Sequence, residues 1–135
     1  KFSATIDRWL DAGHGSCVLA QREAAEIVVS ALDYFDGDRY LMHAHVVMPN
    51  HVHLLASLAP ERDLADVIAS WKWYTARQIN LLDDRSGPLW QRDYFDRLIR
   101  DQEHFRNVVR YIKRNADRVS TAPLFIASWI EEVIA

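Results

Sequence analysis

The apolar positions of this chain fall into two periods, and the switches between them mark its elements. Residues 21–35 place Ala24, Ile27, Val28, Ala31, Leu32 and Phe35 at helical spacing, and DGD (36–38) then turns the chain. RYLMHAHVVM (39–48) and HVHLLASL (51–58) are rich in β-formers and separated only by Pro49 and Asn50, which predicts an antiparallel hairpin. Asp63 is a good N-cap for a helix to about Leu82, whose stripe is Leu64, Val67, Ile68, Trp71, Thr75 and Ile79. DDRSGP (83–88) is loop by composition, and LWQRDYFDRLI (89–99) fits a strand or an irregular segment. A last helix from Gln102 to about Arg118 turns Phe105, Val108, Val109, Ile112, Ala116 and Val119 inward, and the apolar tail after Pro123 docks on the body. At the other end, residues 2–12 read as a short helix stopped by Gly13 and Gly15. Helices interleaved with an antiparallel hairpin predict an α+β two-layer domain, a single unit over residues 1–135.

Composition narrows this picture. With 135 residues, half of them hydrophobic, the chain is long enough for one real core and too short for two ordinary domains. A single cysteine, Cys17, excludes an internal disulfide and a zinc site with several cysteines. No apolar run approaches the ~20 residues that span a bilayer, and no signal pattern opens the sequence, so a cytoplasmic protein is expected. The net charge of -3 argues mildly against a nucleic-acid binder, but the mean hides a gradient. Residues 1–40 are acid-rich, whereas residues 106–118 hold Arg106, Arg110, Lys113, Arg114 and Arg118 against Asp117 alone. That distribution suits a face that meets phosphates, and equally a solvated helix face.

The hairpin carries the first candidate chemistry. Alternation along a strand sends His51 and His53 to one face, about 7 Å apart at the backbone, while Val52 and Leu54 enter the core. Two imidazoles at that reach can grip one divalent cation, although H-x-H is also an ordinary polar face. His43 and His45 repeat the spacing on the preceding strand, which weakens the argument from spacing; His14 and His104 read as structural or exposed. A third donor can come from the last helix. At ~100° per residue, Tyr111 lies roughly 110° from the centre of the buried stripe, and Asn115 follows one turn later on the same side. Tyr111 is therefore not simply a core aromatic, although a packed ring with a wet hydroxyl is the plainer account. A phosphodiester held by a cation and basic side chains is open to attack by a tyrosine, which remains as a phosphotyrosine and conserves the bond for rejoining. A free phenol titrates at about 10, so some group has to take its proton, and the sequence does not name it.

VVMPNHVHLL, LWQRDYFDRLIRD and VVRYIKRN, in this order and at these separations, resemble the REP-associated tyrosine transposases of the single-tyrosine HUH (His-hydrophobic-His) group. The resemblance runs from about Gly13 to Val119, and M-P-N-H-V-H-L-L together with W-Q-x-x-Y-F-D is far more specific than H-x-H alone. It implies a ferredoxin-like α+β fold, with an antiparallel sheet and helices on one face. It also implies metal-dependent cleavage and rejoining of single-stranded DNA beside hairpins of repetitive extragenic palindromes. On this resemblance His51 and His53 match the metal-ligating histidines. Tyr111 matches the nucleophile that leaves a 5′ phosphotyrosine and a free 3′ hydroxyl, and Asn115 occupies the position of a further polar ligand. The implied cofactor is Mg²⁺ or Mn²⁺, with two nitrogen ligands favouring Mn²⁺.

Arg106, Arg110, Lys113, Arg114, Arg118 and Arg92 are candidate DNA contacts. Trp73, Tyr74, Trp90 and Tyr94 are candidates for stacking unpaired bases, with pinning of the loop after residue 88 to the core as the alternative for Trp90 and Tyr94. Two departures stand out. Asn115 is followed by Ala116 and Asp117 where the family commonly has Pro-Val, and KFSATIDRWL opens almost directly into the first helix where relatives begin with a strand, so that either the sheet lacks a member or the start of the chain has been trimmed. Some relatives are dimers that place the tyrosine helix in the partner's site, whereas REP-associated ones act as monomers, and the short tail favours a monomer. Two other classes fit the same residues: a non-catalytic hairpin-binding protein, and a metal-dependent phosphodiesterase on a small substrate.

Overall fold

The computed structural model describes residues 5–13, 17–92 and 95–130. The elements in order are β1 (Thr5–Asp11), a 3₁₀ turn at Val18–Ala20, α1 (Arg22–Tyr34), β2 (Tyr40–Met48), β3 (His51–Leu58), α2 (Leu64–Asp83), β4 (Phe95–Leu98), α3 (Gln102–Arg118) and β5 (Leu124–Ile126). The five strands form one antiparallel sheet in the order β4-β1-β3-β2-β5. From β1 to β4 this is the ferredoxin-like arrangement. The hairpin closes across Pro49 and Asn50 with Met48 opposite His51. Asp63 caps α2 by accepting from the Ala65 N–H at 3.1 Å. Gly37 takes the left-handed backbone (φ 90°) that the DGD turn requires. Among the described residues no helix is long and apolar enough to cross a membrane.

The expected helix at residues 2–12 is corrected by β1, a strand over Thr5–Asp11 that lies between β4 and β3. Residues 2–4 and Gly15 lie outside the described residues. The sheet of the described residues includes the N-terminal strand. Ile6, Arg8 and Leu10 face one side, and Thr5, Asp7, Trp9 and Asp11 the other, in register from Thr5↔Ser57 to Asp11↔His51. The period of two is obscured because both faces of a central strand are covered and two of its inward positions are charged. Asp7 and Arg8 are nonetheless buried, because each has a partner. The Arg8 Nη1 donates to Asp96 Oδ2 at 2.8 Å, and Arg97 Nε donates to Asp7 Oδ2 at 3.0 Å. Both partners sit on β4, far along the chain, where no local pattern reveals them.

The sheet separates two cores. On one face α1 and α2 cover Leu10, Met42, Val47, Val52, Leu54 and Ala56. On the other, Val108, Val109 and Ile112 of α3 pack on Ala44, Val46, Met48 and Leu55. The two-layer expectation with all helices on one face therefore becomes three layers, because the apolar stripe of α3 needs a face of its own.

A bulge between Met42 and Ala44 also separates two histidines that spacing alone would place together. His43 turns to the α3 side, against Phe105 and Trp129, with its Nε2 2.7 Å from Ser57 Oγ. His45 turns to the other side, opposite Leu54 and stacked on Phe125. Neither joins His51 and His53.

Candidate active site between the sheet and the third helix

β1 and β3 are neighbours, and their odd-numbered residues share the face that α3 covers. His51 and His53 emerge there together, as the alternation requires. Trp9, directly opposite His53, stacks on both rings at centroid separations of 5.1 Å (His51) and 4.2 Å (His53). Tyr111 completes the cluster, with its ring centroid 5.6 Å from that of His53, edge to face, and 5.8 Å from that of Trp9. The Arg114 guanidinium lies 5.8 Å from the Tyr111 ring centroid on the same side of the helix. Tyr111 reaches the histidines because it stands off the apolar stripe of α3, on the flank that faces β1.

Each histidine is held by one nitrogen and leaves the other open. His53 donates its Nε2–H to Asp7 Oδ1, and His51 donates its Nδ1–H to Asn50 Oδ1 at 2.9 Å. His53 Nδ1 and His51 Nε2 then carry lone pairs that are buried and have no partner among the described residues. A carboxylate behind a ring N–H is the usual support of a metal-binding imidazole. Burial draws the His51 pKa below the ordinary histidine value, against the opposing charge of Asp11, which favours the neutral, ligating form. At Asp7 burial alone would raise the pKa, but the His53 hydrogen bond and charge, and then Arg97, outweigh it and hold the carboxyl below its usual range. Asn115, one turn beyond Tyr111, is buried with its amide nitrogen also unpartnered. α3 runs on through Ala116 and Asp117 to Arg118, so the missing Pro-Val leaves Asn115 inside a continuous helix. Among the described residues no group of three or more His, Cys, Asp or Glu side chains is set to hold a metal ion. The two open imidazole nitrogens are the donors that fit one.

Beside this cluster lies an open cavity of about 390 Å³, walled by Asp7, His53 and Arg97 from the sheet, by Arg100 before α3, and by His104, Asn107, Tyr111 and Arg114 of α3. Neither His51 nor Asn115 lines it. Of the basic residues singled out from the sequence, only Arg114 does. Arg106, Arg110, Lys113 and Arg118 continue along α3, and Arg92 is exposed ahead of β4.

The aromatic candidates fare differently. Trp90 is a core residue, 8% exposed, whose indole N–H donates to Thr75 Oγ1 at 2.9 Å, so it has no open face for a base. Trp73 is exposed on α2, with Arg77 5.6 Å from its ring centroid, and so lies across the sheet from Tyr111. Tyr74 lies beside it, while Tyr94 and His14 are outside the described residues. Asp7, Trp9, Arg97 and Arg100 are absent from the sequence candidates, and His104, read there as structural or exposed, lines the cavity. No local period reveals β1, and with it Asp7 and Trp9, because the charged Arg8 stands between Ile6 and Leu10 on the inward face.

Residues 22–115 match the family described as Transposase IS200 like, a span of more than half the chain that includes the hairpin histidines, Tyr111 and Asn115. The chain belongs to the IS200-like transposases. Membership places it in a family of DNA-processing recombination proteins. The fold of this IS200-like chain is shared with the REP-associated tyrosine transposase solved in complex with a REP hairpin. That match has a TM-score of 0.68 and 20% identity, over 87% of this chain and 69% of that one. It is shared also with a Deinococcus radiodurans R1 protein assigned as a transposase, with a TM-score of 0.61 and 21% identity over 85% of this chain and 93% of that one. A search of curated proteins gave no significant match.

Proposed function

We propose that this protein cleaves and rejoins single-stranded DNA at hairpins through a covalent phosphotyrosine at Tyr111. The observation that carries the reading is the edge-to-face contact of the Tyr111 and His53 rings, at 5.6 Å, on the wall of an arginine-lined cavity. In the inferred step the Tyr111 oxygen attacks phosphorus and the bond from phosphorus to the 3′ oxygen breaks. The phenolic proton ends on the released 3′ hydroxyl, and the 5′ phosphate stays on the tyrosine as an ester. Attack by a 3′ hydroxyl on that ester reverses the step and rejoins the strand. Arg97, Arg100 and Arg114 complement the charge that builds on the phosphoryl oxygens.

His51 and His53, with Asn115 as a further polar ligand, are the residues that would hold a divalent cation, Mg²⁺ or Mn²⁺, which when bound stabilises charge on the non-bridging oxygens. Asp7 and Asn50 prepare those imidazoles by fixing their tautomers. Fold similarity to a transposase solved with a REP hairpin supports hairpin DNA as the partner. Arg106, Arg110, Lys113 and Arg118, together with Arg92, would extend a basic track for the strand. Tyr111 meets His53 of its own chain, so a monomer suffices for the site.

The test is to incubate labelled single-stranded hairpin DNA with the protein and Mn²⁺ or Mg²⁺, then separate the products on a denaturing gel. The expected result is a protein-linked band that disappears with Tyr111→Phe, His51→Ala or EDTA. Free product without that band, surviving Tyr111→Phe, assigns a phosphodiesterase instead. Hairpin binding that survives Tyr111→Phe, with no adduct under either metal, assigns a non-catalytic binding protein.

A further inference from the structure

His104 has no role in the steps just described. It lies seven residues before Tyr111, two turns earlier on the same side of α3, and both line the cavity with Arg100 and Arg114. Long helical side chains lean toward the helix N-terminus, so the Tyr111 ring extends over the turn that leads back to His104. His104 is 7% exposed, and its Nδ1 accepts the backbone N–H of Arg100 at 3.0 Å. In the neutral ring that bond puts the proton on Nε2. The Nε2–H is buried in the cavity wall and has no partner among the described residues. A ring arranged this way cannot take a proton at Nε2, so it is a fixed donor and not a base. What a buried donor between arginines lacks is an anion. Arg100 and Arg114 form no ion pair with a described residue, while the one carboxylate on the wall, Asp7, is already matched by Arg97 and His53.

We infer that this cavity seats a phosphate of the DNA strand, with neutral His104 donating its Nε2–H to a phosphate oxygen and Arg100 and Arg114 supplying the charge. The identification of the phosphate as part of a strand rests on the function proposed above; the anion site itself does not. The seat would fix the strand relative to Tyr111 through a group that every nucleotide carries, and so without reading sequence.

The experiment uses the Tyr111→Phe chain, so that adduct formation plays no part and its failure is read separately. Binding of a fluorescent single-stranded hairpin is followed by anisotropy across a salt series. Asn at position 104 can still accept from the Arg100 N–H but lacks the distal donor, whereas Gln offers an N–H near the Nε2 position. His104→Asn is expected to weaken binding about tenfold, the scale of one hydrogen bond to a charged group. It should leave the salt slope unchanged, and His104→Gln should recover most of the loss. Arg100→Gln should reduce the slope by about 0.7, the share of one single-strand phosphate contact.

Equal affinity of His104→Asn and the parent overturns the proposal, and so does a fall in its salt slope like that of Arg100→Gln, which would make His104 a charge. Nitrogen-15 spectra of the histidine rings supply the second measurement. The His104 Nε2–H resonance should move on adding the hairpin. Movement with inorganic phosphate and none with the hairpin would assign a free-anion site and overturn the strand assignment.

Discussion

The two faces of the sheet use their polar atoms differently. On the α1–α2 side, buried polar side chains are largely paired within the core: Tyr40 donates to the Leu32 carbonyl at 2.6 Å, Trp71 to the Tyr40 hydroxyl at 3.1 Å, and Trp90 to Thr75. On the α3 side, His51 Nε2, His53 Nδ1, His104 Nε2 and Asn115 Nδ2 are buried without a partner among the described residues. Leaving such an atom unpaired costs about 1–3 kcal/mol, so the α3 face is a poor place to look for stability. The α1–α2 face is the better paired of the two, and the α3 face holds the open lone pairs and donors on which the proposed function draws. His45 makes this testable, because it is a buried imidazole with an unpartnered Nδ1 on the α1–α2 side.

The comparison breaks most readily at Trp71. Trp71→Ala should lower unfolding stability by about 3–5 kcal/mol in urea titration, because a buried ring and its bond to Tyr40 are lost together. Tyr111→Phe, which keeps its ring, should cost less than about 1 kcal/mol. Equal losses at the two sites would deny the division of labour.

Acid titration sharpens it next. Burial lowers the His45 pKa from 6.5 to about 4. Between those values the unfolded chain binds the extra proton, so the stability is present above pH 6.5 and lost as the pH falls toward 4. The loss is on the order of 3 kcal/mol. His45→Leu should flatten that limb, leaving the smaller slopes of His43 and His51, whose values burial also lowers. An unchanged limb would mean that His45 is hydrated.

A smaller effect than that of His45 is expected at Asp7. Asp7→Asn weakens the acceptor behind His53, and Mn²⁺ affinity measured by calorimetry should fall about 10–100-fold. Unaltered affinity would remove Asp7 from the support of the site.

Much of this was legible because it is local. The stripe of α3 set its bounds and showed Tyr111 off the buried side, and β-formers around Pro49-Asn50 set the hairpin and the shared face of His51 and His53. His104 could be seen but not interpreted. Its tautomer depends on a backbone N–H of the preceding loop, and its value depends on a cavity whose other wall is β1 and β4.

By itself, then, the sequence determined α1, α2, α3 and the β2–β3 hairpin, because their signals are periods of two or 3.6 residues within one window. Tertiary structure alone decided that residues 5–11 form a strand, since its buried Asp7 and Arg8 are tolerated only with partners on distant strands, His53 and Arg97 for Asp7 and Asp96 for Arg8. It alone sent His43 and His45 to opposite faces, because the bulge is a matter of register with β3. And it alone brought Asp7 behind His53 and Tyr111 against it, since which strand lies beside which is settled by packing the whole sheet at once.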